Sequence, residues 1–451
     1  MTDSASDTTP ENTPDGARER GAETASPNAP ETQAGGRFDS VGGFDSVGGG
    51  SKSPIAAAKA REAAKQRFVI EAGWSAATRA PLAGDASARR YDRLRWDPAE
   101  PAAKVAQGTR DGPARGAAPP MPGAGQPTAS AVLMDAPPDR GEEIGAFLAL
   151  SGWLRAQGFA APEILAADPA AGFALLEDLG DALYARVCAA RPAWEPALYA
   201  AATDLLAQLH SLTPPSAMAW SGGVHPLNPY DLKVLQAEAA LAPMWYLSAA
   251  GAAAGADVSA GFAAALAAAL EGVAASHEVV VLRDYHAENL VWRPGLNAPP
   301  AGMGLQNHGA PIPPAAAQAV AQVGLLDYQD ALRGHPAYDL VSLLEDARRD
   351  TTPALRQAMI RRYLDATGRE AAPFEAAYAA LGAQRNLKII GIFTRLWRRD
   401  GKQGYLAMIP RVWAHLTRDL THPGLSGLRD WVARHMPPPD PALLARIGQT
   451  R

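Results

Sequence analysis

The sequence predicts an α+β protein whose strands come early and whose helices come late. Three observations carry this reading. Short runs of strand character are gathered before Gly180. After Gly180, apolar residues recur mostly at helical spacing, as in Leu198, Ala202, Leu205, Leu209 and Leu212. Two further apolar runs, at 279–282 and 323–326, interrupt the helical part, and each leads into polar residues.

The elements follow in order. Residues 1–53 are rich in Gly, Pro, Ser, Thr and acid, and cannot bury enough apolar surface to offset chain entropy, so a disordered tail is expected. Within it Phe-Asp-Ser-Val-Gly-Gly at 38–43 recurs at 44–49, a local duplication and no solenoid. Gly-Gly-Ser-Lys-Ser at 49–53 lacks the spacing and the preceding strand of a phosphate loop. From 54 to 74 the pattern is helical, with Ala56, Ala60, Ala63 and Ala64 on one face and Phe68, Val69 and Ile70 at the end. Residues 82–96 read as a tight turn of small residues followed by an alternating strand. Backbone amides of that turn, with Ser87, Arg89 and Arg90, are candidates to cover nucleotide phosphates; the competing reading is a plain hairpin turn with an exposed Arg pair. Residues 101–129 form a Pro/Gly/Ala-rich insert, expected to be disordered.

A strand resumes at 131–135, and a helix follows with Phe147, Leu148, Leu150 and Leu154 apolar. Residues 172–180 read as a short buried strand that ends in acid and Gly, a candidate hinge between two lobes. His210, beside the apolar face of its helix, reads as packed or solvated, not as a ligand. The Ala-rich run at 259–275, broken by Glu271, is expected to be a buried helix and not a membrane span. A second Pro/Ala/Gly insert, 298–319, fits a hairpin loop between two strands. From 336 to 431 helices alternate with short polar breaks. The expected division is a tail at 1–53, an N-terminal lobe at 54–178 and a helical lobe at 179–440.

Composition narrows the function. The formal net charge is -5 and the pI is about 6.0, with no basic excess to neutralise nucleic-acid phosphates. The one cysteine, Cys188, rules out an intrachain disulfide framework and reads as a packing residue suited to a reducing cytosol. The first residues show neither a basic nor an apolar signal region, so a cytoplasmic location is expected, with no membrane partner.

The chemistry is concentrated in the two interrupting runs. Val-Val-Val-Leu-Arg-Asp at 279–284 places Asp284 with four residues between it and Asn289, in the spacing Asp-x4-Asn. Val-Gly-Leu-Leu-Asp at 323–327 places Asp327 on a second strand. One carboxylate to orient a hydroxyl, with an amide and a second carboxylate to hold Mg2+, is the arrangement a phosphoryl-transfer site needs. Asp284 and Asn289 as mere loop caps is the plainer alternative.

Leu-Arg-Asp-Tyr-His-Ala-Glu-Asn at 282–289 resembles the catalytic loop of the aminoglycoside phosphotransferase-like kinases. Leu-Leu-Asp-Tyr-Gln-Asp-Ala at 325–331 resembles their metal-binding segment, and Gly-His-Pro-Ala-Tyr-Asp-Leu at 334–340 their following block. The blocks at 84–91, 133–138, 175–180, 342–350 and 384–393 resemble, within that family, the bacterial anomeric kinases of N-acetylmuramate and N-acetylglucosamine. The resemblance spans 66–435 outside the inserts. It implies a protein-kinase-like bilobal fold, with a small sheet lobe and a larger helical lobe. It also implies ATP and Mg2+ as cofactors, Glu177 to Leu179 meeting adenine, and phosphorylation of an amino sugar at its anomeric hydroxyl in cell-wall sugar recycling. A monomer is expected.

The chain departs from the family at Leu282, where His is usual, and at Arg283, where Gly is usual. The nucleotide-binding lysine of the third strand aligns with Met134, so Arg89 or Arg90 is expected to take its place. For the sugar, Arg283, His286, Arg385, Asn386 and Lys388 are the candidates, an Arg being suited to a lactyl carboxylate; a solvated basic helix face is the alternative for the last three. Glu345, Asp346, Arg348, Arg349 and Asp350 read as a surface ion-pair network. A kinase for another hydroxyl, such as an aminoglycoside, and a pseudokinase without turnover stay open.

Overall fold

A computed structural model describes residues 54–82, 88–96, 129–252, 255–293 and 323–449. The expected tail, the two expected inserts (all but Ala129) and Ser87 lie outside them.

The α+β class is as expected. An antiparallel sheet of five strands, in the order β1-β2-β3-β5-β4, is built from β1 (Thr78–Pro81), β2 (Arg90–Trp96), β3 (Ala129–Asp135), β4 (Ile164–Asp168) and β5 (Phe173–Glu177). Because successive side chains alternate across a strand, the sheet has two distinct faces. One face, with Leu94, Ala131, Leu133, Phe173 and Leu175, packs beneath Phe68 and Val69 of helix α1 (Pro54–Glu71). Two ion pairs fix α1 there: Arg61 Nη2 and Lys65 Nζ each lie 2.7 Å from the buried Asp135 carboxylate. The opposite face, with Met134, Ala174 and Leu176, joins the core of the helical part. Strand β1 carried no clear alternation in the sequence; it is a sheet edge ending at Pro81, where a missing N–H breaks no ladder.

The helical part is organised around α9 (Ala371–Arg398), whose 28 residues span about 42 Å. Around it lie α2 (Gly145–Ala156), α3 (Tyr184–Ala190), α4 (Glu195–Leu209), α5 (Leu232–Ala239), α6 (Ala256–Ala269), α7 (Ala337–Leu344), α8 (Pro353–Thr367), α10 (Ile409–Asp419), α11 (Ser426–His435) and α12 (Pro441–Gln449). A π-helical turn, Ala242–Leu247, crosses α9 at Gly391. A Cβ there would stand 2.2 Å from the Leu241 carbonyl carbon, so only Gly permits the approach. Gly391→Ala is expected to destabilise the fold by about 1–3 kcal/mol, measured by urea unfolding. An unchanged midpoint would mean that the two helices slide apart freely.

The α6 expectation needs correcting. The Ala-rich run is helical but mostly exposed, and within α6 only Phe262 and Leu266 are buried. Alanine is so small that leaving it in water costs little, and its apolar label misled. Among the described residues no helix is long and apolar enough to cross a membrane. Cys188 is buried, and burial pushes its thiol up to about 11, which leaves it unreactive. His210 is buried too, with Nδ1 2.8 Å from the Tyr363 hydroxyl.

Two small antiparallel pairs position the functional loops. Strands β6 (Ala217–Trp220) and β7 (Gly223–Pro226) form a hairpin of their own, strand β8 (Val279–Val281) pairs with β11 (Leu332–Gly334), and β9 (Leu290–Trp292) pairs with β10 (Val323–Leu325). The loop 282–289 joins β8 to β9, and Asp327 stands just beyond β10. The stretch 298–319, expected to be the loop between β9 and β10, lies outside the described residues.

Candidate active site

The loop 282–289 is held by its own hydrogen bonds and by one carboxylate beneath it. Asp284 N donates to Leu282 O at 2.9 Å, and Asn289 N to His286 O at 2.8 Å. Asn289 Nδ2 donates to the Asp284 carbonyl at 2.9 Å, closing the loop across its mouth. Below, fully buried Asp339 of α7 accepts from Leu282 N at 2.6 Å and from Arg283 N at 2.8 Å. Arg283 itself has φ +70°, a conformation that costs a side-chain-bearing residue about 1–3 kcal/mol unless its surroundings enforce it. The family's usual Gly at this position would adopt it freely.

Pairing of β9 with β10 then brings the second stretch alongside. Leu326 N donates to Asn289 O at 2.9 Å, and Asn289 Nδ2 lies 3.4 Å from Asp327 Oδ2. Asp327 has φ +57°, which Asp tolerates better than most residues. Gln329 Nε2 holds its other oxygen at 2.7 Å. Tyr328 stacks on Phe147 of α2 and shares a 2.7 Å hydrogen bond with Ser151, which fixes the strand end. Asn289 and Asp327 are therefore neighbours, although 38 residues separate them.

This donor set fits Mg2+. The Asn289 amide nitrogen is taken up by the Asp284 carbonyl, His286 Nε2 and the Asp327 carboxylate, so its oxygen is the end left to face a cation. Among the described residues no group of three or more His, Cys, Asp or Glu could hold a metal alone. Mg2+ needs only one or two protein oxygens when waters and phosphates complete its shell.

Around Asp284 the charges are mostly positive. Glu238 of α5, buried, takes Arg283 and the Tyr230 hydroxyl, and Lys388 Nζ at 3.0 Å. Burial works to raise the Asp284 pKa, but Lys388, Arg283 and Arg385 outweigh it and hold the carboxyl below the ordinary carboxylate range. Arg385 is buried and donates to Ser342 Oγ at 2.8 Å; among the described residues it has no carboxylate partner, and its Nη1 has no hydrogen bond. Burial holds the His286 imidazole down to about 4, so it is neutral at pH 7.

The structure thus gathers Asp284, Asn289 and Asp327, and sets Arg283, His286, Arg385 and Lys388 beside Asp284. Other expectations change. Arg385, Asn386 and Lys388 are no solvated face: the first two are buried inside α9. Asn386 is drawn away from substrate, its Nδ2 donating to Glu345 at 2.8 Å and to Asp419 at 2.9 Å. Glu345 and Asp346 are buried, while Arg349 and Asp350 do form ion pairs, with Glu195 and Arg411.

On the nucleotide side, Arg89 Nε lies 2.9 Å from Glu142, whose other oxygen accepts from Ala88 N at 3.2 Å. Arg90, expected beside Arg89, instead alternates onto the face of Asp92 and Leu94, beneath α1 and opposite the face that joins the helical part. Glu177 N already donates to Glu163 O, and its carboxylate pairs with Arg155 and Arg293, so that amide is not open to adenine. Leu179 packs beside Gly324. Met134 is buried on the face of β3 that joins the core of the helical part.

Sequence reasoning gave Asp339 and Glu238 no role: Asp339 lay within a quoted block, and Glu238 gave no signal apart from the contacts the fold creates. Asp346 was read as a surface ion-pair residue, and it is buried.

The profile of the phosphotransferase enzyme family matches residues 123–300 and 319–374. An N-acetylmuramate/N-acetylglucosamine kinase of Caulobacter vibrioides is 38% identical over 385 residues, 84% of this chain and 97% of that one. A kinase of the same name from Pseudomonas aeruginosa is 32% identical over 67% of this chain and 81% of its own. A choline kinase structure from Cryptosporidium parvum superposes with a TM-score of 0.44 at 11% identity, covering 84% of this chain and 99% of that one.

Proposed function

The chain belongs to the phosphotransferase enzyme family, and from that premise we propose that it transfers the γ-phosphoryl group of ATP, with Mg2+, to the anomeric hydroxyl of N-acetylmuramate, and of N-acetylglucosamine as a second acceptor. The observation that carries this reading is the meeting of Asp284, Asn289 and Asp327 at one loop mouth. Asn289 and Asp327 would hold Mg2+, which when bound neutralises phosphate charge. Asp284 would accept the hydrogen bond of the attacking hydroxyl and orient it. Its depressed pKa makes it a weak base, so positioning is its larger part and the proton moves late, as a loose phosphoryl-transfer step allows.

Acceptor charge separates the readings. A polycationic aminoglycoside would meet Arg283, Lys388 and the carboxylate-free Arg385. A lactyl carboxylate would instead give Arg385 the partner that its buried guanidinium lacks. The product, a sugar 1-phosphate, suits recycling of cell-wall sugar in the cytoplasm. Incubation with ATP, Mg2+ and each amino sugar, followed by phosphorus NMR, tests the proposal; absence of a 1-phosphate from both sugars overturns it.

Met134 in place of the family lysine is the one feature favouring a pseudokinase. Arg89, paired with Glu142, would supply the missing cation. Arg89→Ala is expected to raise the KM for ATP roughly 10-fold or more, the scale of a charge-assisted hydrogen bond, and Arg90→Ala to leave it within about twofold. Equal effects of the two would remove the assignment.

A further inference from the structure

Two buried polar atoms, one on the catalytic loop and one just beyond α7, have no hydrogen-bond partner among the described residues. Asp346 is 1% exposed; its Oδ1 accepts from Arg348 N at 2.8 Å, while its Oδ2 has no partner among the described residues. His286 is 5% exposed, and its Nε2 lies 3.3 Å from Arg348 Nη1 and 3.4 Å from Asn289 Nδ2. Both neighbours are donors, so Nε2 accepts and the proton resides on Nδ1, which also lacks a partner. One residue, Arg348, therefore ties down one end of each group. The other ends are an unfilled acceptor and an unfilled donor, not bonded to each other.

The chemistry of that pair is selective. An ammonium would satisfy Asp346 but oppose the His286 N–H. A carboxylate would satisfy His286 but be repelled by Asp346. A neutral group that donates and accepts at adjacent atoms satisfies both, and a secondary amide does so with its N–H and its carbonyl oxygen. The catalytic loop itself locates the pair, since His286 N donates to Asp284 O at 3.1 Å.

We propose that Asp346 and His286 form the subsite for the acetamido group of the acceptor sugar, Asp346 taking the amide N–H and His286 Nδ1 giving to its carbonyl. This rests on the reading of the acceptor as an N-acetyl amino sugar. It leaves Arg385 for the anionic substituent that distinguishes N-acetylmuramate, so one pocket serves both sugars.

The test is calorimetric binding to the full chain loaded with Mg2+ and a non-hydrolysable ATP analogue, with N-acetylglucosamine, glucosamine and glucose as probes. Asp346→Asn keeps the oxygen that serves Arg348 N and turns the open position into a donor. N-acetylglucosamine affinity is expected to fall roughly 10- to 100-fold, with glucose and nucleotide-analogue affinities within about twofold of wild type. His286→Ala, which removes the Nδ1 donor together with the Nε2 acceptor of Arg348 and Asn289, is expected to give the same sugar-selective loss, and it decides the matter where Asp346→Asn does not fold. Equal loss for N-acetylglucosamine and glucose, or no loss, overturns the subsite and marks the pair as a structural water site. Failure of the wild-type protein to bind any N-acetyl sugar instead removes the acceptor reading, and the subsite with it.

Discussion

Asp284→Asn is expected to lower kcat by about 10²–10⁴-fold while leaving ATP affinity near that of the wild type. The substitution keeps the loop shape, because the loop uses the Asp284 backbone: N donates to Leu282 O, and the carbonyl accepts from Asn289 Nδ2 and from His286 N. What disappears is the negative charge that the proposed mechanism directs at the attacking hydroxyl. The acid limb of the activity profile should lie below the ordinary carboxylate range, since the surrounding cations favour the ionised form. The sign for stability follows: a carboxyl depressed in the folded state stabilises above its unfolded pKa, and that contribution is lost as pH falls through the folded value. Single-turnover kinetics with calorimetric titration of nucleotide checks both parts. A variant with wild-type kcat would remove Asp284 from the reaction.

The three oxygen-bearing residues were legible because their separation is written locally. Asp284 and Asn289 share one loop between two strands, and Asp327 follows a strand that pairs with the one after Asn289. The residues that support them were not legible. Asp339 reaches the Leu282 amide across 57 positions, and Glu238 reaches Arg283 across 45. Asp346 was misread because charged residues clustered so closely look solvated; its burial depends on where the end of α7 packs in the assembled fold, and local composition does not encode that. The same limit hid the exposure of α6, where a run of alanines is equally compatible with core and surface. Sheet faces were readable in principle: the period of two that put Arg93 toward Asp178 and Asp181 also turns Arg90 away.

Asp339→Asn is expected to cost about 1–3 kcal/mol of stability and roughly 10²-fold in kcat, without touching substrate. The carboxylate uses both oxygens, one for each of two consecutive amides, and an amide side chain can accept for only one of them. The orphaned N–H is beside Arg283, whose φ of +70° is held against its own preference. Losing the anchor lets the backbone relax, and relaxation at residue 283 displaces the adjoining Asp284 from the reacting hydroxyl. This account makes a sharper demand. In an Arg283→Gly background the same φ costs nothing, so the loop has no strain to release, and Asp339→Asn should lower kcat by a smaller factor there than in the wild type. Arg283→Gly alone also loses the link to Glu238 and is itself expected to be slower, so the comparison is the ratio within each background. Identical ratios would show that Asp339 acts only through general stability, and that the left-handed turn before Asp284 stores nothing.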